Sequence, residues 1–299
     1  MRESINRTEL FRWCSIPAEK LLEHPDRRVP LRICDDAPAM AQIMAQELVQ
    51  AVVSAQEEGR TLRTILPCGP NGWLRPFTDL VNSTNLSLEN LLVFHMDECL
   101  DWEGGLLPID HPYNFRGHME RQFYGPVRSE LRVPEKNRRW LTPATYRDIS
   151  EELRSRPAEL VYGGWGQDGH VAYNQARRNQ YSPLTVEELR QSSARVQENN
   201  PDTIIALSQR TFGGAYQFVP PMSVTLGMSE ILSASRVRLF SDTGAWKQTA
   251  LRVALFGPLT PDYPLTLLQG HPDALLTATS ETSQHPVSLH PEWDLGLIA

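Results

Sequence analysis

The segment Gly163-Gly164-Trp165-Gly166-Gln167-Asp168-Gly169-His170-Val171-Ala172 has four glycines in its first seven positions and follows the mostly apolar run Glu159–Tyr162. This order predicts a buried strand that ends in a tight turn, because glycine permits positive φ and close approach of the backbone to a ligand. Ligands of open α/β sheets bind just beyond the carboxyl ends of strands. An acid beside an imidazole is a common proton-transfer device. Asp168 and His170 are therefore candidate catalytic residues; the alternative is an ordinary glycine-rich surface turn.

The size and composition of the chain are those of a globular protein. Its 299 residues can bury a full core in one or two domains. Hydrophobic residues make up 40% of the chain and charged residues 22%, which is ordinary for such proteins. The net charge of −7 argues against nucleic acid as the main partner. A locally basic site for an anionic small substrate remains compatible with that charge.

The cysteines and the termini indicate the cellular setting that we expect. Four widely spaced cysteines form no CxxC pair, so we expect reduced thiols and neither a disulfide framework nor a zinc site. The first six residues have no apolar core, and no stretch approaches about 18 uninterrupted apolar residues, so we expect no secretory signal and no membrane span. The prediction is a cytoplasmic protein without a membrane partner.

The pattern along the chain predicts one α/β domain over residues 29–279, preceded by a polar N-terminal arm (1–28) and followed by a C-terminal tail (280–299) without a clear period. After a strand over Val29–Cys34, Asp36 is the expected N-cap of an amphipathic helix over 37–57. Further short apolar runs are the candidate strands Thr64–Pro67, Leu91–Met96, Leu160–Gly163, Thr203–Leu207, Ser223–Leu226, Val237–Phe240 and Leu275–Thr279. Helical patterns between them include Thr185–Val196 and Ala245–Leu255. This alternation predicts a Rossmann-like, mostly parallel sheet with helices on both faces.

Three of the predicted strands end in segments that are rich in glycine or carry acidic and histidine side chains, as catalytic and ligand-binding segments often do. These ends are Leu66–Gly72, Phe94–Glu98 and the glycine-rich turn at 163–172. Because the carboxyl ends of strands in a doubly wound sheet meet at one edge, we expect the three segments to form one cleft.

Two longer segments resemble glucosamine-6-phosphate deaminases. Val93–Glu98, read with His111–Phe115, is similar to that family's F-x-M-D-E…H-P-x-S-Y, and Gly163–Asn174 to its GGxGxDGHIAFNEP. The wider superfamily includes 6-phosphogluconolactonases, which share the G-x-G-x-D-G-H element. Three shorter segments also resemble the deaminase family: Ser208–Phe212 (its NSRFF), Val224–Met228 (its ALTVGVG) and Gly244–Lys247 (its G-x-x-K).

The resemblance implies a role for each matching residue. Asp97 is the expected base that moves a proton between C1 and C2 of an open-chain sugar. His170 is expected to open the sugar ring, with Asp168 orienting its imidazole. Arg210 and Lys247 are expected to hold the phosphate, for which cations, and Arg in particular, are well suited. The implied substrate is a phosphorylated sugar, no metal or cofactor is required, and a homo-oligomer is possible.

The chain departs from the family pattern at two places. Gln175 replaces a glutamate that couples to the catalytic histidine, and a neutral amide cannot stabilise an imidazolium by charge. The phosphate loop, T-G-G-T-P in the family, is here Cys68–Gly72, and Pro70 removes one backbone N–H donor. We still expect the substrate to contact the following further residues: Gly69, Pro70, Asn71, Glu98 and Gly166.

Several alternatives stay open at this point. Asp97 is also a possible helix N-cap, Asp168 a turn-stabilising residue, and Arg210 and Lys247 are possible surface charges. His95, Asp168 and His170 lack the spacing of a metal site. The leading function is an aldose–ketose isomerase that releases ammonia from a 2-amino sugar. Its rivals are a lactonase, in which His170 activates water and Asp97 is dispensable, and a sugar-phosphate-binding protein without turnover.

Overall fold

A seven-stranded parallel sheet forms the centre of the molecule. The computed structural model describes residues 5–176, 181 and 183–293. The strands of this sheet are β1 (Leu31–Cys34), β2 (Leu62–Leu66), β3 (Leu91–His95), β5 (Arg138–Arg139), β6 (Leu160–Gly164), β9 (Arg236–Ser241) and β10 (Ala274–Thr279). Their order is β1-β10-β9-β6-β2-β3-β5, and every neighbouring pair is parallel. All carboxyl ends therefore lie at the same edge, and the predicted α/β fold is confirmed.

A second, three-stranded antiparallel sheet adjoins that edge. It consists of β4 (Asp97–Leu100), β7 (Arg195–Glu198) and β8 (Met222–Thr225), with β8 in the middle. Only Met96 separates β3 from β4, so the chain passes directly from the large sheet into the small one. Asp97 pairs with Thr225 of β8, which fixes the backbone of Asp97 just beyond the end of β3.

Helices cover the central sheet and connect its strands. They are α1 (Arg7–Cys14), α2 (Ala37–Glu57), α3 (Leu74–Thr84), α4 (Phe115–Met119), α5 (Tyr146–Ser155), α6 (Val186–Arg190), α7 (Pro201–Thr211), α8 (Met228–Leu232), α9 (Gln248–Phe256), α10 (Ser280–Ser283) and α11 (Pro286–Leu289). Among the described residues, no helix is both long and apolar enough to cross a bilayer.

The longest helix, α2, is the clearest example of sequence determining local structure. The Asp36 side chain accepts a hydrogen bond from the backbone N–H of Ala39 (2.8 Å), as expected for an N-cap. Met40, Met44 and Leu48 follow at helical spacing and are fully buried. The predicted bounds of this helix are confirmed. Its buried face belongs to one of two apolar clusters in the core, which include residues on opposite faces of the sheet strands.

Two sequence-based element predictions are wrong. Thr203–Leu207 lies inside α7 rather than in a strand, because Pro201 at the helix start sets the first turn and the run is amphipathic. The predicted helix over Thr185–Val196 ends at Arg190, after which Arg195–Glu198 pairs with β8 as strand β7. Tertiary pairing overrides local helical periodicity in that segment.

The terminal segments pack against the domain. Trp13 and Leu21 are buried, and α1 contacts α9. At the other end, α10 contacts β10 and α11 contacts α1. The division into arm, domain and tail stays a prediction.

Gly227, which begins α8, provides a test of the packing between the small sheet and its neighbouring helices. A Cβ at this position would lie 2.1 Å from the backbone oxygen of Ser192. We expect Gly227→Ala to lower the free energy of unfolding by at least about 1–3 kcal/mol, because backbone would have to move. Gly270→Ala is the matched control, since a Cβ there meets nothing within 4 Å, and should change stability by less than about 0.5 kcal/mol. Equal denaturant midpoints for the two variants would contradict the packing described.

Candidate active site

The carboxyl ends of four parallel strands surround one cleft of about 280 Å³. Pro67 and Pro70 follow β2, Met96 and Asp97 follow β3, Gly164 ends β6, and Asp242 follows β9. His170, Tyr173 and Lys247 complete the wall together with Phe115, Trp165, Ala172, Gly69 and Thr243. The three strand ends singled out from the sequence thus share a single cavity.

The Asp97 carboxyl group lines the cleft and is buried. Among the described residues, no backbone or side-chain group donates a hydrogen bond to its side chain. Burial, together with the nearby negative charge of Glu98, raises the pKa of Asp97 to about 7. A carboxyl group with this pKa can accept and return a proton near neutral pH, which is what a general base requires.

His170 and Asp168 form a hydrogen-bonded pair on the glycine-rich turn. The Nδ1 atom of His170 lies 2.7 Å from Oδ1 of Asp168. Burial alone would raise the pKa of Asp168, but the charge and hydrogen bonds of His170 outweigh it, so that this pKa is lowered. The ionised carboxylate can only accept, so Nδ1–H donates to it. This tautomer leaves Nε2 for the cleft, and within the described residues Nε2 has no hydrogen-bond partner.

Gln175 joins this pair through Asp168. Its Oε1 accepts from the backbone N–H of Asn200 (3.1 Å), which fixes the orientation of the amide. Its Nε2 therefore faces Oδ2 of Asp168 (3.0 Å) and Oγ1 of Thr203 (2.6 Å). Nε2 also lies 2.8 Å from Nδ1 of His170, whose hydrogen points to Asp168. The amide thus holds the acid of the pair in place and adds no charge beside the imidazole.

The glycines of the turn are required by close contacts. A Cβ on Gly166 would lie 2.1 Å from Cε1 of His170, so the imidazole rests directly on this glycine. Gly169 has φ +72°, and a Cβ there would meet Tyr263 at 3.1 Å. Ala172 and Tyr173 also have positive φ, at 51° and 55°. Such backbone conformations are uncommon for residues other than glycine and cluster at functional sites.

Lys247 lies at the other side of the cleft from Asp97, beyond the end of β9. Burial lowers its pKa to about 8; the carboxylate of Asp242 opposes this shift and the charge of Arg210 adds to it. Lys247 lines the cleft, whereas Arg210 does not. The guanidinium of Arg210 lies over the ring of Trp246, 4.0 Å from its centroid, and its Nε donates to the carbonyl oxygen of Ala206. Arg210 therefore lies near Lys247 but outside the cleft wall.

Besides Arg210, three predicted substrate contacts, Glu98, Asn71 and Gly166, do not line the cleft. Glu98 is on the opposite face of β4 from Asp97, and its carboxylate accepts from the backbone N–H groups of Phe115 (2.7 Å) and Arg116 (2.8 Å). It thereby anchors the start of α4, as an acid at a helix N-terminus does. Asn71 is exposed, and its Nδ2 lies 3.4 Å from Nε2 of His118. Gly69 and Pro70 do line the cleft.

Several residues of the wall had no role predicted from the sequence. Tyr173 stacks parallel to the imidazole of His170 at 6.0 Å between ring centroids. Asp242 and Thr243 follow β9, whose end was not singled out because its residues carry no recognisable motif. The aromatic residue directly after the His170 turn was the available signal for Tyr173. Asn200 and Thr203 form hydrogen bonds with the side chain of Gln175, and no sequence pattern predicted these contacts. Within the described part of the chain, no cluster of three or more histidine, cysteine or acidic residues could hold a metal ion.

Fold and site together define an α/β protein with an acid–base cleft at the carboxyl edge of a parallel sheet. No model of a known protein family matches the chain. Several curated proteins are similar to the chain in sequence. A glucosamine-6-phosphate deaminase of Parabacteroides distasonis is 31% identical over 221 residues, covering 71% of this chain and 74% of the relative. A glucosamine-6-phosphate deaminase of Caenorhabditis elegans is 28% identical over 262 residues, covering 85% of this chain and 90% of the relative. The chain belongs to the glucosamine-6-phosphate deaminase family, whose members are enzymes.

Solved structures agree on the fold. A monomeric glucosamine-6-phosphate deaminase superposes with a TM-score of 0.71 at 20% identity, covering 85% of this chain and 99% of its own. A 6-phosphogluconolactonase from Thermotoga maritima superposes with a TM-score of 0.60 at 14% identity, covering 84% of this chain and 100% of its own. The same sheet architecture therefore occurs in both classes of sugar-phosphate enzyme, and the residues of the cleft have to distinguish them.

The raised pKa of Asp97 has a consequence for stability that needs no substrate. The carboxyl group takes up protons more readily in the folded protein (pKa about 7) than at its ordinary value of 3.8. Stability conferred by this group is therefore complete below about pH 4 and is lost as the pH rises through 7. We expect Asp97→Asn to match the native protein in denaturant unfolding at pH 4 and to exceed it at pH 8. The exposed Asp26→Asn serves as control. A constant difference at all pH values would show that Asp97 is ionised throughout.

Proposed function

We propose that the protein converts glucosamine 6-phosphate and water into fructose 6-phosphate and ammonia. The observation that carries the proposal is the arrangement around the cleft. A carboxylate with a pKa near 7 and no hydrogen-bond partner among the described residues shares a cavity with an imidazole oriented by an ionised acid. Family membership supports the same chemistry.

The first step in the proposed mechanism opens the sugar ring. Nε2 of His170, whose Nδ1–H is held by Asp168, takes the proton of the C1 hydroxyl and passes it to the ring oxygen as the bond between C1 and that oxygen breaks and the open-chain aldehyde forms. Asp168 stabilises the imidazolium state by its charge. The stacked ring of Tyr173 and the glycine floor at Gly166 restrict the imidazole to one orientation, which is the pre-organisation that proton transfer needs.

The second step moves a proton along the carbon chain. Asp97 removes the proton from C2, and the electron pair forms a C1–C2 double bond while the carbonyl oxygen at C1 takes a proton from water. Asp97 then returns its proton to C1 as the nitrogen lone pair forms the C2=N bond, and the nitrogen releases a proton to water, leaving a C2 imine. Water adds to the imine carbon, the C–N bond breaks, and ammonia leaves with the ketose. A base with a pKa close to the working pH is well matched to both transfers.

The role of Asp97 is tested by Asp97→Asn, which keeps the shape and removes the basicity. We expect kcat for ammonia release to fall by about 10²–10⁴-fold with KM nearly unchanged. In the native enzyme the rate should fall as the pH drops below about 7, because protonated Asp97 cannot act as a base. Asp26→Asn should retain native kinetics.

The same variant separates the proposal from its rivals. If it releases ammonia at the native rate, Asp97 is not the base and the proposal fails. If the native protein hydrolyses 6-phosphogluconolactone and releases no ammonia, the lactonase alternative replaces it. Tight binding of sugar phosphates without either reaction would identify a binding protein.

Lys247 is the proposed phosphate ligand, because among the described residues it is the lysine or arginine that lines the cleft, on the side away from Asp97. We expect Lys247→Met to weaken binding of glucosamine 6-phosphate by about 10- to 100-fold, the range for losing a charged hydrogen bond. Binding of unphosphorylated glucosamine should change little. In the native protein, affinity should fall above about pH 8, where Lys247 loses its proton.

Calorimetric titration with both sugars measures these effects, and the exposed Lys136→Met is the matched control. Arg210→Met should have a smaller effect than Lys247→Met, since Arg210 lies outside the cleft wall. Equal losses for the phosphorylated and unphosphorylated sugars would show that Lys247 has a structural role.

A further inference from the structure

A second cavity of about 190 Å³ adjoins the active-site cleft on the far side of Asp97. We call it the side pocket. Its wall includes Leu66, Leu107, Met119, Trp140 and Leu141, and three residues, Met96, Asp97 and Phe115, line both cavities. The carboxylate proposed as the base therefore stands between the cleft and a chamber that the proposed reaction does not use.

The order of the strands fixes where this chamber lies relative to a bound ligand. The cleft spans the ends of β9, β6, β2 and β3, with Lys247 at the β9 side and Asp97 at the β3 side. These outer strands are three spacings of about 4.8 Å apart. The side pocket continues in the same direction, toward the end of β5 and α4. A ligand anchored at Lys247 that spans the cleft has its opposite end near Asp97, and an extension of that end in the same direction points toward the side pocket.

Three hydrogen-bonding side chains in the wall of the side pocket are already engaged, while Arg116 lies over the ring of Trp140 (5.2 Å from its centroid) and Asp97 is shared with the cleft. Glu98 accepts from the backbone of Phe115 and Arg116, as described above. The Asn114 side chain accepts from Gly117 N–H (2.6 Å) and donates to the Leu107 carbonyl oxygen (2.8 Å). The hydroxyl of Thr142 is bonded to that of Thr145 (2.9 Å). These residues have little capacity left for a polar ligand, so the chamber is suited to an apolar group.

Two aromatic side chains in the wall of the side pocket stack on each other. His95 and Trp140 stack with ring centroids 3.7 Å apart and an angle of 3° between planes. Nε2 of His95 lies 2.9 Å from the hydroxyl of Tyr124, and burial with two neighbouring arginines lowers the pKa of His95 to about 3, so the imidazole is neutral. A neutral stacked pair offers van der Waals contact without charge.

We propose that the side pocket is a binding subsite for a small apolar substituent at the end of the sugar opposite the phosphate. The ligand class is a phosphorylated 2-amino sugar whose nitrogen carries a short acyl chain. The volume agrees with this assignment, since an apolar cavity of about 150 Å³ holds a benzene-sized molecule. The inference rests on the proposed function, because it takes the pose with phosphate at Lys247 and C2 at Asp97.

The test measures affinity along a series of ligands. Calorimetry gives Kd for glucosamine 6-phosphate and for its N-acetyl, N-propanoyl and N-butanoyl derivatives. From acetyl to butanoyl we expect affinity to rise about three- to fourfold per added methylene, the value for burying a CH₂ group. The N-butanoyl compound should also displace glucosamine 6-phosphate competitively, as a ligand of the same site must.

A variant at the rim of the side pocket ties the effect to this chamber. Leu106 lines it and is 48% exposed, so Leu106→Trp can fill the space from the rim. We expect the gain from acetyl to butanoyl to disappear in this variant. Leu22→Trp, at a leucine of similar exposure (43%) in the N-terminal segment, is the matched control and should keep the full gain. If Leu106→Trp does not fold, Ile109→Trp at the same rim takes its place.

The outcomes separate this inference from the proposed function. If glucosamine 6-phosphate binds and affinity is flat or falls along the acyl series, the subsite is wrong and the proposed function stands. A gain that persists in the folded rim variant likewise overturns the subsite. If no sugar phosphate binds the native protein, the proposed function fails and the subsite fails with it.

Discussion

The parallel alignment of seven strands is the constraint on which the site depends. Because every strand of the central sheet runs in the same direction, the residues after β2, β3, β6 and β9 all emerge at one edge. Asp97, His170 and Lys247, which are about seventy to one hundred and fifty positions apart in the chain, line a single cavity for that reason. The small antiparallel sheet then holds Asp97 through its pairing with Thr225. Without this second sheet the backbone after β3 would have no fixed path.

Two carboxyl groups of the site, those of Asp97 and Asp168, have pKa values shifted in opposite directions. Asp97 lacks hydrogen-bond donors among the described residues, and burial raises its pKa toward neutrality. Asp168 is held in the ionised state by His170 and receives a hydrogen bond from Gln175. Two carboxyl groups in one site thus have different protonation behaviour, which is a common basis for acid–base division of labour. Gln175 fits this picture as a support for Asp168.

Much of the fold and part of the site could be predicted from the sequence. Helix α2 was predictable at both ends because its N-cap and apolar spacing are local signals. The cleft was predictable because three strand ends carried polar or glycine-rich segments. Glu98 lies outside the cleft wall, which its sequence context did not predict, since adjacent residues of a strand face opposite sides and its partners lie at positions 115 and 116. The support of Gln175 by Asn200 and Thr203, and the side pocket, depend on tertiary contacts that no local pattern encodes.

The central claim is that Asp97 and His170 act from two strand ends on one bound sugar phosphate. A crystal structure with the open-chain 2-amino alditol 6-phosphate, which has no carbonyl group and cannot react, tests it most directly. C1 and C2 should lie within about 3–3.5 Å of the Asp97 carboxylate, the distance of a reactive arrangement. The phosphate should lie at Lys247, and Nε2 of His170 should face the C5 hydroxyl. A ligand bound with its C1–C2 end away from Asp97, or with Lys247 remote from the phosphate, would contradict it.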